Sequence, residues 1–517
     1  MEKYIERNLT ALTSCLEPLP PSLFHSHYRL KSTNMDVLRA LTLSLALLPS
    51  SVAADQTTTI DPSSNRGTWE GWGTSLAWWA QAFGTRNDLA DIFFSTKTTT
   101  LNSVTLPGLG LNIVRYNAGA TSSKAVNGTS MALPSSMVAS RKMQGFWVDW
   151  ASTSPASASW DWNVDSAQRN MLWKARDRGA DTFELFSNSP MWWMCANHNP
   201  AGSDDGKSDN LQSWNRQQHA VYMATIAKYA ADNWGFAFDS VNPFNEPSAA
   251  WWNGKTGTQE GCHFAVATQA TVLGILRSEL DSRGLKGTAI SASDESYYDE
   301  AVATFQGLGS TAVGKIGRVN VHGYQYASGA RAELFKIVSA AGKKLWQSEY
   351  GEGDATGERM VSNMLLDFRW LRPTAWVYWQ VLDGGGWGLI DADNDKKSIA
   401  GVNQKYFVLA QFARHIKPGM RILDGGSDYS VAAYDAGKKR LVVVAVNWGS
   451  AQYLNFEMSK FKTPGVNGAT VKRWTTQIGS SGTRYAAATD TKISGTKFWS
   501  WFEKGAVQTF EVEGVVL

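Results

Sequence analysis

The 517-residue sequence predicts a closed (β/α)8 barrel of the TIM type, followed by an antiparallel β-sandwich as a side domain. Between residues 69 and 400, strand-like runs alternate with helical stretches about eight times, which favours a parallel sheet. Eight such units over roughly 330 residues fit a barrel with insertions. After residue 422 the pattern changes to short β-runs separated by turn residues. A doubly wound open sheet is the alternative, but no Gly-x-Gly-x-x-Gly turn follows the first strand.

The predicted barrel occupies residues 67–404. Its helical stretches show apolar residues at i, i+3 and i+4, for example at 219–231 and 265–280. The strand-like runs that alternate with them are 70–75, 111–117, 182–188, 239–246, 288–294, 318–324, 344–349 and 374–380.

The predicted side domain occupies residues 405–517. It begins with a helical stretch at 405–416, which Pro418 and Gly419 end. The runs that follow are typical of strands in a small antiparallel sandwich: SVAAYDA, LVVVAVNW, ATVKRWTT and AVQTFEVEGVV. The short run at 57–61 is a candidate additional strand of this sandwich.

Residues 1–54 have the pattern of a targeting segment. The apolar run ALTLSLALL at 40–48 is too short for a transmembrane helix, and small residues follow it. We therefore predict a signal peptide at 35–54, cleaved after Ala54. Because this signal starts at Met35, residues 1–34 are either an extension of the gene model or an unusually long n-region. The sequence thus predicts a secreted, extracellular protein.

Secretion makes the cysteines interpretable. Cys15 would be lost with the signal, which leaves Cys195 and Cys262 as an even pair in an oxidising compartment. We expect a disulfide between them; the alternative is two buried free thiols. Asn127 begins an Asn-Gly-Thr sequence and is an N-glycosylation acceptor.

Composition excludes several classes of protein. The net charge is only +3 and no long block of like charge occurs, which argues against a nucleic-acid binder. The 7 histidines are scattered without ligand spacing, so we expect no metal and no cofactor. The 24 tryptophans indicate an aromatic-lined groove. We expect a monomer that acts on a polysaccharide and does not contact a membrane.

Two glutamates follow apolar strand-like runs at positions where barrel enzymes hold their catalytic groups. Glu246 ends the fourth run, after Asn245, and Glu349 ends the seventh. Active sites of such barrels lie at the carboxyl ends of the strands. Cleavage of a glycosidic bond needs two carboxyl groups, one to protonate the leaving oxygen and one on the other side of the sugar.

At these positions the sequence resembles glycoside hydrolase family 30 of clan A, and within it the fungal endo-β-1,6-galactanases. The resemblance covers about residues 60–517. The segments that carry it are GWGTSLAWWA (71–80), LNIVRYNAG (111–119), SNSPMWWM (187–194), NPFNEP (242–247), VHGYQY (321–326), WQSEYG (346–351), WVYWQ (376–380) and KYFVLAQFARHIKPG (405–419). Other subfamilies carry a Phe-Gly-Gly-like first strand and Ser-Pro-Pro at the third, where this chain has Gly71-Trp72-Gly73 and Ser189-Pro190-Met191. This departure disfavours glucosylceramide and β-1,6-glucan as substrates.

The resemblance implies a retaining mechanism with Glu246 as acid/base and Glu349 as nucleophile. Their carboxyl groups should then lie about 5–5.5 Å apart. The charge of Glu349 is expected to raise the pKa of Glu246 until Glu349 is esterified. Asn245 would bind the sugar 2-hydroxyl. Arg115 and Tyr324 would brace Glu349 and keep it ionised.

The aromatic residues are expected to line the substrate cleft. Trp379 resembles the sugar platform of the family, and His322 is interpreted as a structural or subsite group. One member of each tryptophan pair should touch substrate, with Trp78, Trp192 and Trp251 as the candidates. Among the other carboxylates, Glu184 lies inside a strand and is expected to be structural. Five more lie in loops or at strand ends, where they could line subsites or be solvated loop charges, and they stay unassigned: Glu260, Asp294, Glu295, Glu352 and Asp354.

The sequence therefore predicts a secreted endo-acting hydrolase of β-1,6-galactan. Alternatives are another activity of the family (β-1,6-glucanase, xylanase or exo-galactosidase) and a non-catalytic carbohydrate-binding protein on the same scaffold. The sequence does not decide between internal and terminal cleavage.

Overall fold

Eight parallel strands form a closed barrel in the computed structural model, which describes residues 55–517. Each predicted run overlaps one of these strands, and the fifth and seventh strands extend one residue beyond their runs. The predicted (β/α)8 class is confirmed. In chain order the barrel strands are Gly71–Ser75, Ile113–Asn117, Thr182–Phe186, Ser240–Asn242, Ala289–Glu295, Arg318–His322, Lys344–Tyr350 and Ala375–Tyr378. The predicted signal peptide at 35–54 and the segment 1–34 lie outside the described residues.

Helices follow the barrel strands and cover them with apolar faces. The α-helices are Trp79–Phe83, Asn87–Phe94, Ser166–Arg176, Arg216–Asn233, Val266–Ser282, Tyr298–Gly307, Gly309–Val313, Arg331–Ala340, Glu358–Leu366 and Gln404–Ala413. Shorter helical turns lie at Ala139–Arg141, Trp192–Met194, Ser213–Asn215 and Asp367–Leu371. Within residues 55–517, no helix is both long and apolar enough to cross a bilayer.

Short additional strands belong to the barrel loops. Thr98–Leu101 and Val104–Pro107 form a hairpin. After the eighth barrel strand, a small sheet contains Leu382–Asp383, Ile390–Asp393 and Ser398–Val402.

The C-terminal part is a sandwich of two sheets, as predicted. The six-stranded sheet contains, in spatial order, Arg421–Leu423, Ser430–Asp435, Arg440–Val446, Ala506–Val512, Thr470–Gln477 and Ala486–Lys492. The second sheet contains Gln56–Thr59, Gln452–Glu457 and Lys497–Phe502. Thr463–Pro464 and Val515–Val516 form a separate pair. Gln56–Thr59 pairs in parallel with Gln452–Glu457, so the N-terminal run lies within the sandwich.

A second hydrophobic core fills the sandwich, and one helix joins the sandwich to the barrel. Phe456, Phe498 and Phe510 meet between the two sheets at centroid distances of 5.0–5.4 Å. On the other side of the six-stranded sheet, the Thr509 hydroxyl donates to the backbone oxygen of Gln411 at 2.8 Å. Gln411 belongs to Gln404–Ala413, so the six-stranded sheet lies between this helix and the three-stranded sheet.

Candidate active site

Both predicted carboxylates lie at the carboxyl end of the barrel. Glu349 is the next-to-last residue of the seventh strand, and Glu246 follows the fourth strand by a few residues. Glu246 has a positive φ of 47°, and its backbone N–H donates to the backbone oxygen of Asp294 at 2.8 Å. Burial of both side chains, which are 7% and 4% exposed, leaves only small faces open to a ligand.

The two carboxylates face each other across His322. The Nδ1 atom of His322 lies 3.1 Å from Oε1 of Glu246 and 3.5 Å from Oε1 of Glu349. One oxygen of each carboxylate lies within 4.8 Å of the other. An oxygen pair this close is compatible with the short carboxyl spacing of retaining glycosidases.

Glu349 is held by two donors. Arg115 donates from Nη1 to Oε2 at 3.0 Å, and the Tyr324 hydroxyl donates to Oε1 at 2.9 Å. We expected these contacts to keep Glu349 ionised. Burial nevertheless raises the pKa of Glu349 above its usual value, against the lowering effect of His322 and Arg115. Glu349 therefore needs the positive charges of His322 and Arg115 to be ionised.

Arg115 connects the nucleophile to the barrel interior. This fully buried guanidinium donates from Nε to Glu184 at 2.8 Å and from Nη2 to Asp294. Although burial opposes it, the cations Arg115 and His322 lower the pKa of Asp294 to about 2. A guanidinium with three carboxylate partners has little rotational freedom, so the position of Glu349 is fixed before substrate binds.

His322 has a larger role than the sequence indicated. Burial lowers its affinity for a proton, but Glu349 and Asp294 outweigh burial and raise the pKa of His322 to about 10. An imidazolium between these carboxylates offsets their mutual repulsion. Glu246, His322 and Glu349 also have the spacing of metal ligands.

Known proteins share sequence with this chain over most of its length. The family model of O-glycosyl hydrolase family 30 matches residues 55–310. An endo-beta-1,6-galactanase of Hypocrea rufa is 57% identical over 475 residues, which make up 92% of this chain and 98% of that protein. The chain belongs to glycoside hydrolase family 30. It is a glycoside hydrolase.

Solved structures share the fold of this family 30 enzyme. A conserved exported protein from Bacteroides fragilis superposes with a TM-score of 0.72 at 18% identity, covering 88% of this chain and 100% of that one. The catalytic domain of GH30 xylanase C from Talaromyces cellulolyticus gives a TM-score of 0.65 at 19% identity, with coverage of 88% and 100%. Identities this low show the shared fold alone.

Asn245 offers the hydrolase an unused hydrogen-bonding group beside the acid/base. Its side chain is buried, and Oδ1 has no partner among the described residues. A buried amide that lacks a partner is costly unless a ligand satisfies it. Its place next to Glu246 in the chain fits the expected contact with the sugar 2-hydroxyl.

We expect Asn245→Ala to lower kcat/KM by about 100-fold, because contacts to the 2-hydroxyl strengthen in the transition state. The test is a double cycle with a 2-deoxy substrate. On that substrate the kcat/KM of the variant should be close to that of the wild type, since the contact with the 2-hydroxyl is already absent. Equal losses on both substrates would instead place Asn245 in a structural role.

Trp379 and Trp78 form one wall of the site. Their rings meet edge to face with centroids 5.1 Å apart, next to Phe186 and Met143. The guanidinium of Arg141 covers Trp78 at 4.5 Å. Trp78 also borders a cavity of about 400 Å³ that Arg141, Thr258 and Asp383 help to line. Trp78 and Trp379 are only 3% and 6% exposed, so Trp78 supports Trp379 by packing, and contact of either ring with substrate stays a prediction.

The other tryptophan candidates differ in outcome. Trp251 is 43% exposed, whereas its neighbour Trp252 is buried and donates from Nε1 to the backbone oxygen of Glu246 at 2.9 Å. Of this pair, only Trp251 is open to a ligand, and its contact with substrate stays a prediction. Trp192 is wrong as a sugar contact, because the helical turn Trp192–Met194 turns both Trp192 and Trp193 into the interior.

The expected disulfide is not formed in the structure. Cys195 and Cys262 are both buried free thiols. Each Sγ instead faces a backbone oxygen, Pro190 at 3.7 Å for Cys195 and His263 at 3.4 Å for Cys262. Burial in these surroundings raises the pKa of both thiols and makes them unreactive. Asn127, the glycosylation candidate, is exposed in the turn between Val126 and Thr129.

Four of the five unassigned carboxylates are buried, so an interpretation as solvated loop charges is wrong for them. Asp294 pairs with Arg115, Glu352 pairs with Lys405 at 2.8 Å, and Glu295 accepts from Thr304 at 2.6 Å. Glu260 accepts from the backbone of Ala120 at 3.0 Å and from Asn117 at 3.3 Å. Asp354 is half-buried. The sequence missed these groups because their partners lie far away in the chain.

Sequence reasoning also missed Asn188. It follows the third barrel strand and is buried, and neither polar atom of its side-chain amide has a partner in the described part of the chain. An amide at the carboxyl end of a barrel strand is placed to contact substrate. Its position two residues after the strand was the available signal.

Glu260 should make stability depend on pH. Burial raises its pKa from 4.5 to about 8, so between these pH values the folded chain binds a proton that the unfolded chain releases. Stability therefore falls as pH rises through this range. We expect Glu260→Gln, measured by urea unfolding, to gain about 2–4 kcal/mol relative to wild type between pH 5 and pH 8.

The matched control for this substitution is Glu333→Gln. Glu333 forms an exposed pair with Lys336, and its replacement should leave the pH dependence unchanged. An identical pH profile for Glu260→Gln and wild type would show that Glu260 is ionised in the folded protein.

Proposed function

We propose that this family 30 enzyme is a secreted endo-β-1,6-galactanase that hydrolyses galactan side chains by double displacement with retention. The sugar is supported by the 57% identity to the Hypocrea rufa galactanase over nearly its whole length. The mechanism is supported by the separation of Glu246 and Glu349, which have an oxygen pair within 4.8 Å.

In the first step, Glu349 attacks the anomeric carbon while the bond to the glycosidic oxygen breaks. Glu246 gives its proton to that leaving oxygen. Arg115 and Tyr324 orient the attacking oxygen, and Trp379 lies at the end of the eighth strand, where it would contact the sugar.

In the second step, water enters on the side that the departed sugar leaves open. Glu246 now takes a proton from this water, whose oxygen attacks the anomeric carbon, and the bond to Glu349 breaks. Esterification has removed the charge of Glu349, so Glu246 can carry the negative charge before it accepts the proton. His322, which lies against both carboxylates, remains beside each through the cycle.

Product analysis tests the proposed sugar and the mode of cleavage. The secreted protein would be incubated with de-arabinosylated arabinogalactan, with β-1,6-glucan and glucuronoxylan in parallel. We expect β-1,6-galactooligosaccharides of mixed length from the first polymer alone. Release of a single short product would indicate terminal cleavage. Cleavage of another polymer but not of galactan would overturn the sugar and keep the mechanism.

Secretion and the monomeric state are parts of the same proposal. The apolar run at 40–48, followed by small residues, supports secretion. The described active-site groups all come from one barrel, so one chain is sufficient for the proposed reaction. N-terminal sequencing of the secreted protein should begin near residue 55, and sedimentation should give the mass of one chain.

A further inference from the structure

The outer sheet of the side domain carries a cluster of exposed aromatic residues that catalysis does not use. Tyr453, Trp499 and Trp501 are 42%, 39% and 46% exposed. Tyr453 lies on the strand Gln452–Glu457, and both tryptophans lie on its antiparallel partner Lys497–Phe502. We call these three residues the aromatic face. Exposed aromatic side chains that cluster in this way mark a binding surface more often than isolated ones do.

Strand register places the three rings side by side. Tyr453 lies directly opposite Trp501, and their ring centroids are 5.0 Å apart at 72°. Trp499 lies two residues along the strand, at a spacing of about 7 Å, opposite Asn455. Residues between them point inward, where Leu454, Phe498 and Phe502 join the core of the sandwich.

The aromatic face is separate from the catalytic cleft. Its sheet packs on the six-stranded sheet, whose other side packs on the helix Gln404–Ala413. The aromatic face is therefore the outermost layer of the side domain, on the side away from that helix. Glu246 and Glu349 lie instead at the carboxyl end of the barrel.

The charges around the aromatic face favour a neutral ligand. Lys497 lies opposite Glu457 in the strand pair, and its Nζ is 5.9 Å from the ring of Trp499. The indole N–H of Trp501 donates to Glu503 at 2.8 Å. The carboxylate of Asp55 also accepts from the backbone N–H of Tyr453 at 3.3 Å. With three carboxylates and one lysine around uncharged rings, the face offers no basic cluster for an acidic partner. Thr57 and Asn455 add a hydroxyl and an amide beside the rings.

We propose that the aromatic face is a non-catalytic binding surface for a neutral polysaccharide. The C–H face of a sugar packs on an aromatic ring, and the neighbouring hydroxyl and amide groups can bind its hydroxyls. An open sheet surface suits an extended polymer. The choice of ligand depends on the proposed function, since an enzyme that cuts a polymer gains avidity from a second contact with it.

The test uses the inactive variant Glu349→Gln, so that the polymer stays intact. Its mobility in gels that contain β-1,6-galactan, β-1,6-glucan or soluble cellulose derivatives reports binding. Adding Trp499→Ala and Trp501→Ala should weaken retention by at least one of these neutral polymers about ten-fold. Trp370→Ala is the matched control, because Trp370 is 43% exposed and precedes the eighth barrel strand, away from the catalytic end. This control should leave retention unchanged.

Further measurements keep the outcome decisive. In the active enzyme, the double substitution should leave hydrolysis of a short oligosaccharide unchanged, because that substrate reaches only the cleft. Should the double variant fold poorly, Trp501→Thr keeps a strand-forming residue and should still weaken retention. Equal retention of all variants on every polymer would overturn the proposal. A dimer that the double substitution dissociates would also overturn it, since a second copy would then occupy the face. Failure of wild-type enzyme to cut galactan would contradict the proposed sugar but not this surface.

Discussion

Glu349→Gln should reduce kcat by about 10⁵-fold while leaving substrate binding nearly intact, because the amide cannot form the covalent intermediate. The shape of the side chain is retained, and Tyr324 can still donate to the amide oxygen. Turnover of galactan by reducing-end release and binding by calorimetry would be measured on the same preparation. A non-catalytic binding protein would show no turnover to lose, so comparison with wild type separates the two classes.

Glu246→Ala is the partner experiment, and it should respond to the leaving group. An aryl glycoside with an acidic phenol needs no proton for departure, so its first step should remain fast while hydrolysis of galactan falls by about 10²–10⁴-fold. Added azide should then attack the glycosyl-enzyme and give a product with retained configuration. Azide rescue of Glu349→Ala should give the inverted product instead. If the two variants gave the reverse pattern, the roles of Glu246 and Glu349 would be exchanged.

The barrel and its catalytic pair could be predicted because both depend on local pattern. Alternation of strands and helices is a property of neighbouring residues, and strand ends in a parallel barrel converge at one edge. Glu246 and Glu349 therefore meet although 103 positions separate them in the sequence. Trp251 was also a candidate for exposure because of its place in a loop, and it is exposed.

Contacts between residues far apart in the chain explain why the sequence did not predict which loop residues are buried. Asp294 stayed unassigned at the end of its predicted strand, because its partner Arg115 lies 179 residues earlier. Glu352 likewise depends on Lys405, 53 residues later. Trp192 and the two cysteines are buried by the packing of loops against one another, which no periodicity encodes. Each of these outcomes depends on burial, and burial of a loop residue is decided by distant segments.

Glu184 shows how strongly the barrel interior depends on one buried charge. Its Oε1 accepts from Arg115 at 2.8 Å and from Asn320 at 2.9 Å. Its Oε2 accepts from Ser240, Ser291 and Arg318. Although burial opposes it, the cations Arg318 and Arg115 lower the pKa of Glu184. The carboxylate is thus the shared counter-ion of two buried guanidinium groups.

We expect Glu184→Gln to lower the free energy of unfolding by about 3–5 kcal/mol, because it leaves two buried cations without this counter-charge. Urea unfolding at neutral pH, followed by circular dichroism, measures the loss. Activity should fall as well, since the amide offers one acceptor oxygen to two guanidinium groups, and Arg115 is then held less firmly toward Glu349. A loss below about 1 kcal/mol would show that water or an anion enters the barrel and replaces the carboxylate. The control is Glu333→Gln, which breaks only an exposed pair with Lys336. It should lower the free energy of unfolding by less than about 1 kcal/mol, because the lysine that it leaves unpaired is solvated by water.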